Sequence, residues 1–558
     1  MTKKKDVKKN NFVDSVKISR SEGSFVKLRE NGGLYVDKTK QIYDCLRRPG
    51  YYFLARPRRF GKSILCSTLE ELFLANRGYF KGLWIDKSDW DWEPLPTMRF
   101  DMSMMIGDTT TPAIVQENLL YTLREYANHY KVSVQASQDA ASMLGWLIDA
   151  LRKKYTKKIV VIIDEYDKPL LDVIHKPQEY DRMLEMLKAF YTKLKGQSAN
   201  LHLVFATGVF KFSKVGMFFG ANNFTDLTFN LDASTLVGYT QEDLEKYFDE
   251  GINNLATKLG KKRSEIITTL QEKYNGYRFG YDEDIGALCE GVYNSFGINN
   301  VFADTAMTEK WFESGSPAIL LKKLHKQNCK ALLSQELSAN PSKLSPLRAK
   351  EEIQPLPLLY FASYFTIEKY ERRKLTFKFP NGEVGTAFFE QLIDELDPEH
   401  SGAILDLAID VVLALEDQEF GNLQNLLNQA LANAGYQLIL SREDQYQLFF
   451  VMLLHAGDCL PRVEEVTQDG RIDISITMRH VAYLLELKIN GTPQKAIDQI
   501  KEKDYARKFR HLKRPIWAIG IKLAGDAKTK KSATKTRTTS KKTMSKKNAE
   551  KCRYQPRG

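Results

Sequence analysis

The sequence has 558 residues, of which 43% are hydrophobic and 27% are charged. Such a composition is typical of a globular protein with several domains. No apolar run reaches the roughly 18 residues that a membrane-spanning helix needs, and no apolar segment follows the first lysines, so we expect neither a membrane segment nor a secretory signal. The six cysteines include no CxxC pair, which favours reduced thiols in a cytoplasmic protein over disulfides or a zinc site.

The net charge of +12 is concentrated near the two ends of the sequence. Residues 527–558 hold twelve Lys/Arg and one acid, and residues 1–10 hold five lysines and one aspartate. Because these segments carry more than the whole net charge, the folded middle is close to neutral. We expect a basic disordered head over 1–14 and a basic disordered tail over 525–558. The tail either attracts phosphate backbones in a salt-dependent way or is solvated without a specific partner.

Strands and helices alternate in the first part of the sequence. Strands are expected at 51–55, 97–101, 159–163 and 201–206, with helices at about 64–74, 113–131, 139–154 and 178–195. The continuous apolar run at 159–163 is typical of a parallel strand that is buried on both faces. This alternation predicts βαβ units around a parallel sheet.

The remainder is expected to be mainly helical and then α/β again. Helices dominate 240–320 around an aromatic turn at 274–279, short strands lie within 350–385, and helices cover about 391–434. The last elements are a helix at 443–456, a strand pair around 469–470, a strand at 481–487, a helix at 493–508 and a strand at 515–521. We find no internal repeat.

Gly61, Lys62 and Ser63 lie between an expected strand and an expected helix. In this position a tight turn presents backbone N–H groups to a phosphate, the lysine reaches the outer phosphates and the hydroxyl binds Mg²⁺. The usual pattern GxxxxGK[ST] has a glycine where this sequence has Arg56, so the triplet alone is a weak signal. It nevertheless indicates a phosphate-binding loop.

Asp164 and Glu165 follow the apolar strand at 159–163. An aspartate at the end of such a strand can hold Mg²⁺, and the adjacent glutamate can act as general base on the attacking water. A strand near Phe100 fits NTPases that insert a strand between those carrying the loop lysine and the acidic pair. Thr207 ends the next strand, where such ATPases place a polar residue that senses the γ-phosphate.

Several motifs, taken in order, resemble the bacterial AAA-ATPase-like family over roughly residues 15–300. They are Tyr35–Thr39, Arg56–Ser63, Asp164–Pro169, Thr207–Val209, Asn222–Asn223 and Tyr274–Phe279. The segment RPRRFGKS resembles that family's own form of the phosphate-binding loop, including its arginine at position 56. The resemblance implies ATP binding with Mg²⁺. The expected nucleotide-binding residues are Arg58, Arg59, Gly61, Lys62, Ser63, Asp164 and Thr207, with Ser63 and Asp164 at the metal.

Arg278, in the aromatic turn, has two interpretations. An arginine in a helical lid could contact the γ-phosphate as a sensor or finger. Alternatively, its guanidinium stacks on Tyr277 or Phe279 and has a structural role.

Asp473, Glu486 and Lys488 lie on two expected strands near the end of the sequence. Because residues i and i+2 of a strand share a face, Glu486 and Lys488 project together. Two carboxylates can bind a divalent metal that activates water for attack on a phosphodiester, and a lysine can position that water or neutralise developing charge. On spacing alone, however, charged residues on a half-exposed strand are more often a solvated face.

The same residues resemble the PD-(D/E)XK nuclease superfamily over roughly residues 436–522. The matching positions are Asp473, the triplet Glu486-Leu487-Lys488, Gln499 and Tyr505, with Glu464 at the position of an auxiliary acid. The resemblance implies that Asp473 and Glu486 bind the metal and that Lys488 takes part in catalysis.

The sequence therefore predicts an α/β protein in which a P-loop NTPase with a parallel sheet and a helical lid precedes a restriction-endonuclease-like α/β domain. The expected boundaries are 15–235 for the ATPase, 236–325 for the lid, 326–435 for a connector with a winged-helix option and helices, and 436–524 for the nuclease-like domain.

We expect ATP-dependent or ATP-regulated cleavage of nucleic acid, with DNA favoured. The expected cofactors are ATP and Mg²⁺, with Mn²⁺ as an alternative at the nuclease site. The competing interpretation is a nucleotide-switched interaction protein whose C-terminal domain binds nucleic acid or a partner without cutting it. The near-neutral middle supports that alternative, because a stable DNA complex uses a basic surface. Oligomeric state does not follow from the sequence.

Overall fold

The computed structural model describes residues 17–107, 109–133, 137–211, 224–307, 337–341, 344, 355–396, 398–433, 442–467, 470–523 and 551–553. The chain divides into two compact units, one of residues 1–310 with 338–376 and the other of residues 311–337 with 377–558. Within the described residues, no helix combines the length and the apolar character needed to cross a membrane.

A five-stranded parallel sheet forms the centre of the first unit. Its strands are β1 (Gly50–Ala55), β2 (Thr97–Asp101), β3 (Ile159–Asp164), β4 (Leu201–Gly208) and β5 (Phe224–Asp226), in the spatial order β2-β3-β4-β1-β5. Every residue of β3 is buried, as its continuous apolar sequence predicts.

The strand that separates β1 from β3 is β4. Phe100 belongs to β2, which lies at the sheet edge beyond β3, so the expectation that a strand near Phe100 separates the two functional strands is wrong. β4 takes that place because it pairs with both neighbours, Thr207 with Leu54 and Ala206 with Ile163. The carboxyl ends of β1, β4 and β3 therefore meet at one edge of the sheet.

Two helices precede these strands and five more connect them. They are α1 (Phe25–Glu30), α2 (Thr39–Leu46), α3 (Lys62–Phe73), α4 (Pro112–His129), α5 (Ala140–Tyr155), α6 (Lys168–Asp172) and α7 (Pro177–Gly196). Two of them begin at caps that the sequence supplies. Thr111 accepts a hydrogen bond from the Ile114 amide at the start of α4, and Asp139 accepts from the Ser142 amide at the start of α5.

Residues 241–304 contain four helices, and the stretch 275–294, which includes the aromatic turn, is not helical. The helices are α8 (Gln241–Tyr247), α9 (Asp249–Leu259), α10 (Arg263–Tyr274) and α11 (Ser295–Asp304). Their apolar faces share one buried cluster that includes Leu244, Ile252, Leu270 and Val301, and Val36 from the segment before α2 joins it. The helical lid therefore packs against the start of the ATPase domain.

A smaller sheet and one helix complete the first unit. The helix is α12 (Pro355–Phe361), and the strands β6 (Ser338–Ala339), β7 (Thr366–Glu371) and β8 (Lys374–Lys378) lie in the order β6-β8-β7. Aromatic contacts attach this part to the stretch between α10 and α11, since Tyr370 stacks on Tyr281 with ring centroids 4.5 Å apart.

The second unit combines helices with a mixed sheet. Its helices are α13 (Gly382–Leu396), α14 (Ser401–Glu416), α15 (Phe420–Asn433), α16 (Glu443–Ala456) and α17 (Pro493–Glu502), followed by a 3-10 helix over Tyr505–Leu512. The strands β9 (Arg462–Thr467), β10 (Gly470–Thr477), β11 (Ala482–Lys488), β12 (Ile516–Lys522) and β13 (Lys551–Arg553) lie in the order β13-β12-β11-β10-β9. Only β11 and β12 are parallel among these pairs.

The basic tail contributes a strand, which the sequence analysis did not anticipate. β13 pairs antiparallel with β12, and Ala518 lies opposite Cys552. The expectation of a disordered tail over 525–558 is therefore wrong for residues 551–553. The physical reason is that β12 would otherwise expose the hydrogen-bonding groups of a sheet edge. The predicted fold class, a parallel-sheet α/β domain with a helical lid and a second α/β domain with a mixed sheet, is confirmed.

Candidate active sites

The phosphate-binding loop connects β1 to α3. Gly61 is the N-terminal cap of α3 and has a φ of 94°, a conformation that glycine adopts without strain. Lys62 and Ser63 then open the helix, where free backbone N–H groups favour an anion. The expected strand–loop–helix arrangement around Gly61, Lys62 and Ser63 is present.

Lys62 is buried, with 5% of its surface exposed. Its ammonium donates a hydrogen bond to the Pro57 carbonyl at 2.8 Å, across the loop. Burial lowers the pKa of Lys62, while the Glu165, Asp164 and Asp167 carboxylates oppose that shift. The loop therefore holds a cation at its centre with three carboxylates close enough to influence it.

Arg56 has a structural role rather than a place at the phosphates. Its side chain is fully buried, and Nη1 donates to the Thr228 carbonyl at 2.8 Å while Nη2 donates to the Ala233 carbonyl at 3.1 Å. The guanidinium lies 4.6 Å from the Phe279 ring centroid. Burial lowers the pKa of Arg56 to about 10. The arginine thus ties the loop to the segment after β5 and to the aromatic turn of the lid.

Arg58 and Arg59 are both half-buried. Arg58 lies near Lys62, since its charge contributes to lowering the Lys62 pKa. The Arg59 guanidinium instead lies 4.0 Å from the Phe296 ring centroid, and the Arg59 carbonyl accepts from the Ser295 hydroxyl at 3.0 Å. Arg59 therefore contacts α11 of the lid, and Arg58 has the better position for a phosphate.

Asp164 and Glu165 stand at the end of β3. Asp164 is fully buried, and one of its carboxylate oxygens, Oδ2, has no hydrogen-bond partner among the described residues. Burial raises the pKa of Asp164 to about 6, and the Ser63 hydroxyl and Lys62 partly offset that shift. A buried carboxylate oxygen without a partner, beside a serine and a lysine, fits a position for Mg²⁺.

Glu165 has a φ of 49°, in the left-handed region that a side chain rarely adopts. Such strain costs of order 1–3 kcal/mol and persists where the surrounding structure imposes it. Here the Tyr166 amide bonds the Thr207 carbonyl at 3.0 Å, which fixes the turn after β3. Glu165 is half-buried at this turn.

Asp167 is a functional candidate that the sequence offered only as part of a motif. It is 1% exposed, and its Oδ2 accepts from the Val209 and Phe210 amides at 3.0 and 2.8 Å, while Oδ1 has no partner among the described residues. A Cβ added to Gly208 would lie 2.4 Å from Asp167 Oδ1, so glycine is needed there. Asp167 thereby holds together the ends of β3 and β4.

Thr207 lies on β4 between the loop and the acidic pair. Its hydroxyl donates to the Leu54 carbonyl at 2.7 Å, within the sheet. The Thr207 hydroxyl is therefore already engaged as a donor to β1. To donate to a γ-phosphate, it would have to give up its hydrogen bond to Leu54.

The cation that lies over the ring of Phe279, next to Arg278, is the Arg56 guanidinium. The Arg278 amide donates to the Thr366 hydroxyl at 2.7 Å, and its side-chain Nε is buried without a partner among the described residues. Tyr277 packs edge-on against Phe60 of the loop, with centroids 4.9 Å apart. Asn222 and Asn223 of the matched motif set lie outside the described residues.

The second site is centred on Glu486 of β11. Glu486 is 1% exposed, and its Oε1 accepts from the Lys488 ammonium at 3.0 Å and from the Gln499 amide of α17. Its Oε2 is buried without a partner among the described residues. Burial raises the pKa of Glu486 to about 7, and Asp473 raises it further, while Lys488 opposes both. The expected projection of Glu486 and Lys488 to one side is therefore present.

Asp473 lies on the neighbouring strand β10 and faces β11. Its Oδ2 accepts from the Leu487 amide at 2.7 Å, and its own carbonyl accepts from the Gln447 side chain at 2.8 Å. Gln447 is a buried polar residue on α16 that the sequence did not single out, since an amide in an apolar helix gives no motif. It positions the backbone of Asp473.

The pKa of Lys488 is influenced by both Glu486 and Asp473. Burial lowers its pKa, but Glu486, Asp473 and Glu443 outweigh that effect and raise the pKa above its ordinary value. Glu443, at the start of α16, accepts from the Ile489 amide at 2.9 Å and is a second residue that sequence reasoning missed. Lys488 therefore remains a cation beside Asp473 and Glu486.

The remaining sequence candidate whose side chain is described, Tyr505, forms no hydrogen bond with this cluster among the described residues. Tyr505 is fully buried in the apolar core of the second unit, where its hydroxyl lies against Gly470. Glu464 belongs to β9, but its side chain lies outside the described residues. The adjacent Glu465 is described, and its carboxylate binds Lys508 at 3.0 Å and the Ser475 hydroxyl.

Each site offers two residues that could hold a divalent metal. They are Ser63 with Asp164, and Asp473 with Glu486, and the described residues contain no group of three or more His, Cys, Asp or Glu that could hold an ion. Mg²⁺ commonly binds one or two carboxylates and completes its shell with waters and substrate phosphates. Together with the unpartnered oxygens of Asp164 and Glu486, these pairs fit Mg²⁺.

Comparisons with known proteins match both parts of the chain. Residues 22–218 match the family model described as predicted AAA-ATPase, and residues 441–533 match that of the PD-(D/E)XK nuclease superfamily. The chain is 29% identical to a protein of Azotobacter chroococcum mcd 1, described as "Uncharacterized protein in vnfD 5'region", over 91% of this chain and 96% of that protein. A crystal structure of Cdc6p from Pyrobaculum aerophilum matches 62% of this chain and 89% of that chain at 11% identity, with a TM-score of 0.20.

Proposed function

We propose that this chain, which carries an AAA-ATPase-like domain at residues 22–218 and a PD-(D/E)XK nuclease superfamily domain at residues 441–533, hydrolyses ATP and cleaves DNA in a metal-dependent reaction that nucleotide state controls. The observation that carries the nuclease part is Glu486. Its carboxylate is buried, one oxygen is held by Lys488 and Gln499, and the other has no partner among the described residues.

At the ATPase site, the residues of the loop bind and orient the nucleotide. Lys62 exchanges the Pro57 carbonyl for the outer phosphates, and Arg58 adds positive charge next to it. Ser63 and Asp164 would hold Mg²⁺, which would supply positive charge next to the phosphates. Glu165 accepts a proton from the attacking water.

At the nuclease site, Asp473 and Glu486 would hold Mg²⁺ or Mn²⁺, which would supply a Lewis acid for the phosphodiester. Lys488 remains protonated beside them and neutralises charge that develops on the phosphorane oxygens. Gln499 orients Glu486, and Gln447 orients the backbone of Asp473. Because burial raises the pKa of Glu486 to about 7, metal binding competes with protonation of this carboxylate.

The test is incubation of the purified chain with plasmid and linear DNA, with and without ATP and with Mg²⁺ or Mn²⁺. We expect cleavage by the wild-type chain and none by Asp473→Ala. The matched control is Asp410→Ala, which removes an exposed carboxylate of α14 in the same unit and should cut normally. Lys62→Ala should suppress cutting although the nuclease residues are intact, whereas Lys153→Ala, an exposed lysine of α5, should not.

Cleavage that survives Asp473→Ala would contradict the assignment of the nuclease residues. Cleavage unaffected by Lys62→Ala would indicate two enzymes on one chain without control of one by the other. If the wild-type chain cuts no nucleic acid under any of these conditions, the nucleotide-switched interaction protein becomes the better description.

A further inference from the structure

The second unit contains two regions of opposite charge, although the folded middle of the chain is close to neutral. Residues 382–467 hold sixteen Asp/Glu and two Lys/Arg. Residues 470–522 hold twelve Lys/Arg and five Asp/Glu. The first range contains the helices α13–α16 and β9, and the second contains β10–β12, α17 and the 3-10 helix. The near-neutrality of the middle is therefore the sum of an acidic range and a basic range.

Several of these cations surround the acidic pair. Lys522 ends β12 in direct register with Lys488 on β11. The Lys503 ammonium lies close to Gly470, 3.0 Å from where a Cβ on that glycine would be. Gly470 begins β10, three residues before Asp473. The Lys495 side chain lies over Gly491, three residues beyond Lys488, with its Cδ 3.7 Å from a Cβ added there. All three lie near the end of the sheet where β11 and β12 finish and β10 begins. Asp473 and Glu486 lie at the same end.

These three lysines are available for an anion. Lys495 and Lys522 are exposed and Lys503 is half-buried. None of the three forms an ion pair within the described part of the chain, whereas the nearby Lys508 binds Glu465 and Arg510 binds Asp504. The α17 helix that carries Lys495 also supplies Gln499 to Glu486, and it is held against β12 because Gly520 allows the Pro493 carbonyl to approach closely. The lysines are therefore fixed relative to the acidic pair.

We propose that Lys495, Lys503 and Lys522 form a phosphate-binding rim that holds the DNA backbone across the acidic pair of Asp473 and Glu486. The rim binds phosphates without reading sequence, because lysine ammonium groups contact the backbone as point charges. Residues 382–467, with sixteen Asp/Glu and two Lys/Arg, offer DNA no comparable attraction, which favours the rim as the docking side. This inference rests on the proposed function only for the identity of the polyanion as DNA.

The test measures DNA binding separately from cutting. Binding of a labelled DNA duplex to the full chain is followed by fluorescence anisotropy in EDTA, where the metal-dependent reaction is blocked, at salt concentrations between about 50 and 200 mM. The rim variant is Lys495→Ala/Lys503→Ala/Lys522→Ala. The control is Lys153→Ala/Lys188→Ala/Lys261→Ala, which removes the same charge from exposed positions of the first unit.

Three lost phosphate contacts should reduce the slope of log affinity against log salt by about 2.7, since each contact contributes about 0.9 on duplex DNA. The control should leave the slope unchanged. Single Lys495→Ala and Lys522→Ala variants, each expected to lower it by about 0.9, keep the test decisive if thermal unfolding indicates that the triple variant is misfolded.

An unchanged slope in a well-folded rim variant of a chain that cuts DNA overturns the rim and leaves the proposed nuclease intact. The expected loss of slope in a chain that binds but never cuts supports the rim and overturns the nuclease. A chain that neither binds nor cuts DNA overturns both.

Discussion

The Lys488 ammonium donates to Glu486 Oε1 at 3.0 Å and leaves the other carboxylate oxygen of Glu486 buried without a partner among the described residues. This half-satisfied carboxylate is expected to make the stability of the metal-free protein depend on pH.

Glu486→Gln should gain stability relative to the wild-type chain as the pH rises. The pKa of Glu486 is about 7 in the folded protein against an ordinary value of 4.5, so the folded state binds the proton more tightly. Its stabilising contribution is present below pH 4.5 and is lost as the pH rises through 7. Thermal unfolding in EDTA between about pH 5 and pH 8 measures the difference. Glu416→Gln, an exposed control on α14, should parallel the wild-type chain, and a similar parallel for Glu486→Gln would contradict the shifted pKa.

Lys488→Ala should lose DNA cleavage while it retains metal binding, because an ammonium is not a metal ligand. Glu486→Ala should lose both. Isothermal titration with Mn²⁺ beside a plasmid assay separates the two effects. Loss of Mn²⁺ binding in a folded Lys488→Ala protein would show that the lysine acts by holding Glu486 in place rather than in the reaction.

Glu165→Gln should bind ATP normally and hydrolyse it roughly 10²-fold or more slowly, since the amide cannot accept the proton of water. Glutamine has nearly the same size as glutamate, and it must adopt the same backbone φ of 49°. Nucleotide binding and phosphate release, measured on one preparation, check both statements. Equal hydrolysis by the variant would remove Glu165 from the base role.

Arg56→Gly should destabilise the first unit by about 3–5 kcal/mol, even though it restores the residue that phosphate-binding loops usually have there. The loss leaves the buried Thr228 and Ala233 carbonyls without their donor and opens space beside Phe279. Arg58→Gly, at a half-buried position of the same loop, should cost far less stability and weaken nucleotide binding instead. Denaturant unfolding of both variants distinguishes them, and equal midpoints would refute the structural role of Arg56.

Neutralising the nine Lys/Arg between residues 528 and 547 should reduce the salt dependence of DNA binding and leave thermal stability unchanged. Deleting residues 527–558 is a different experiment, because it also removes β13 and exposes the edge of β12. The truncated chain should therefore aggregate more readily than the neutralised one. An unchanged salt slope in the neutralised chain would make the tail a bystander in binding.

The sequence predicts most accurately the residues that lie together along the chain. Gly61, Lys62 and Ser63 define a turn and a helix start by themselves, and Glu486 and Lys488 share a face by the period of a strand. The order of strands in the sheet is different, because β4 reaches its place between β1 and β3 through packing over long sequence distances.

The roles of side chains whose partners are distant along the chain could not be predicted from the sequence either. Arg56 looks like an irregular loop residue until its partners at Thr228 and Ala233 are known. Gln447 and Glu443 approach the acidic pair from α16, which precedes the recognisable motif. The Thr207 hydroxyl is engaged by Leu54 because those two residues are neighbours across the sheet, not along the chain.

The unequal charge of residues 382–467 and residues 470–522 also has consequences for the rate at which the second unit encounters DNA. A long polyanion that approaches within a Debye length, about 10 Å at 0.1 M salt, is influenced by these charges before it touches the protein. The acidic helices should therefore influence the association rate constant and the share of encounters that arrive in a productive orientation, while the dissociation rate constant reflects the lysines that remain in contact. At high ionic strength this orienting effect disappears first. As salt is added, the association rate constant should therefore fall before the dissociation rate constant rises.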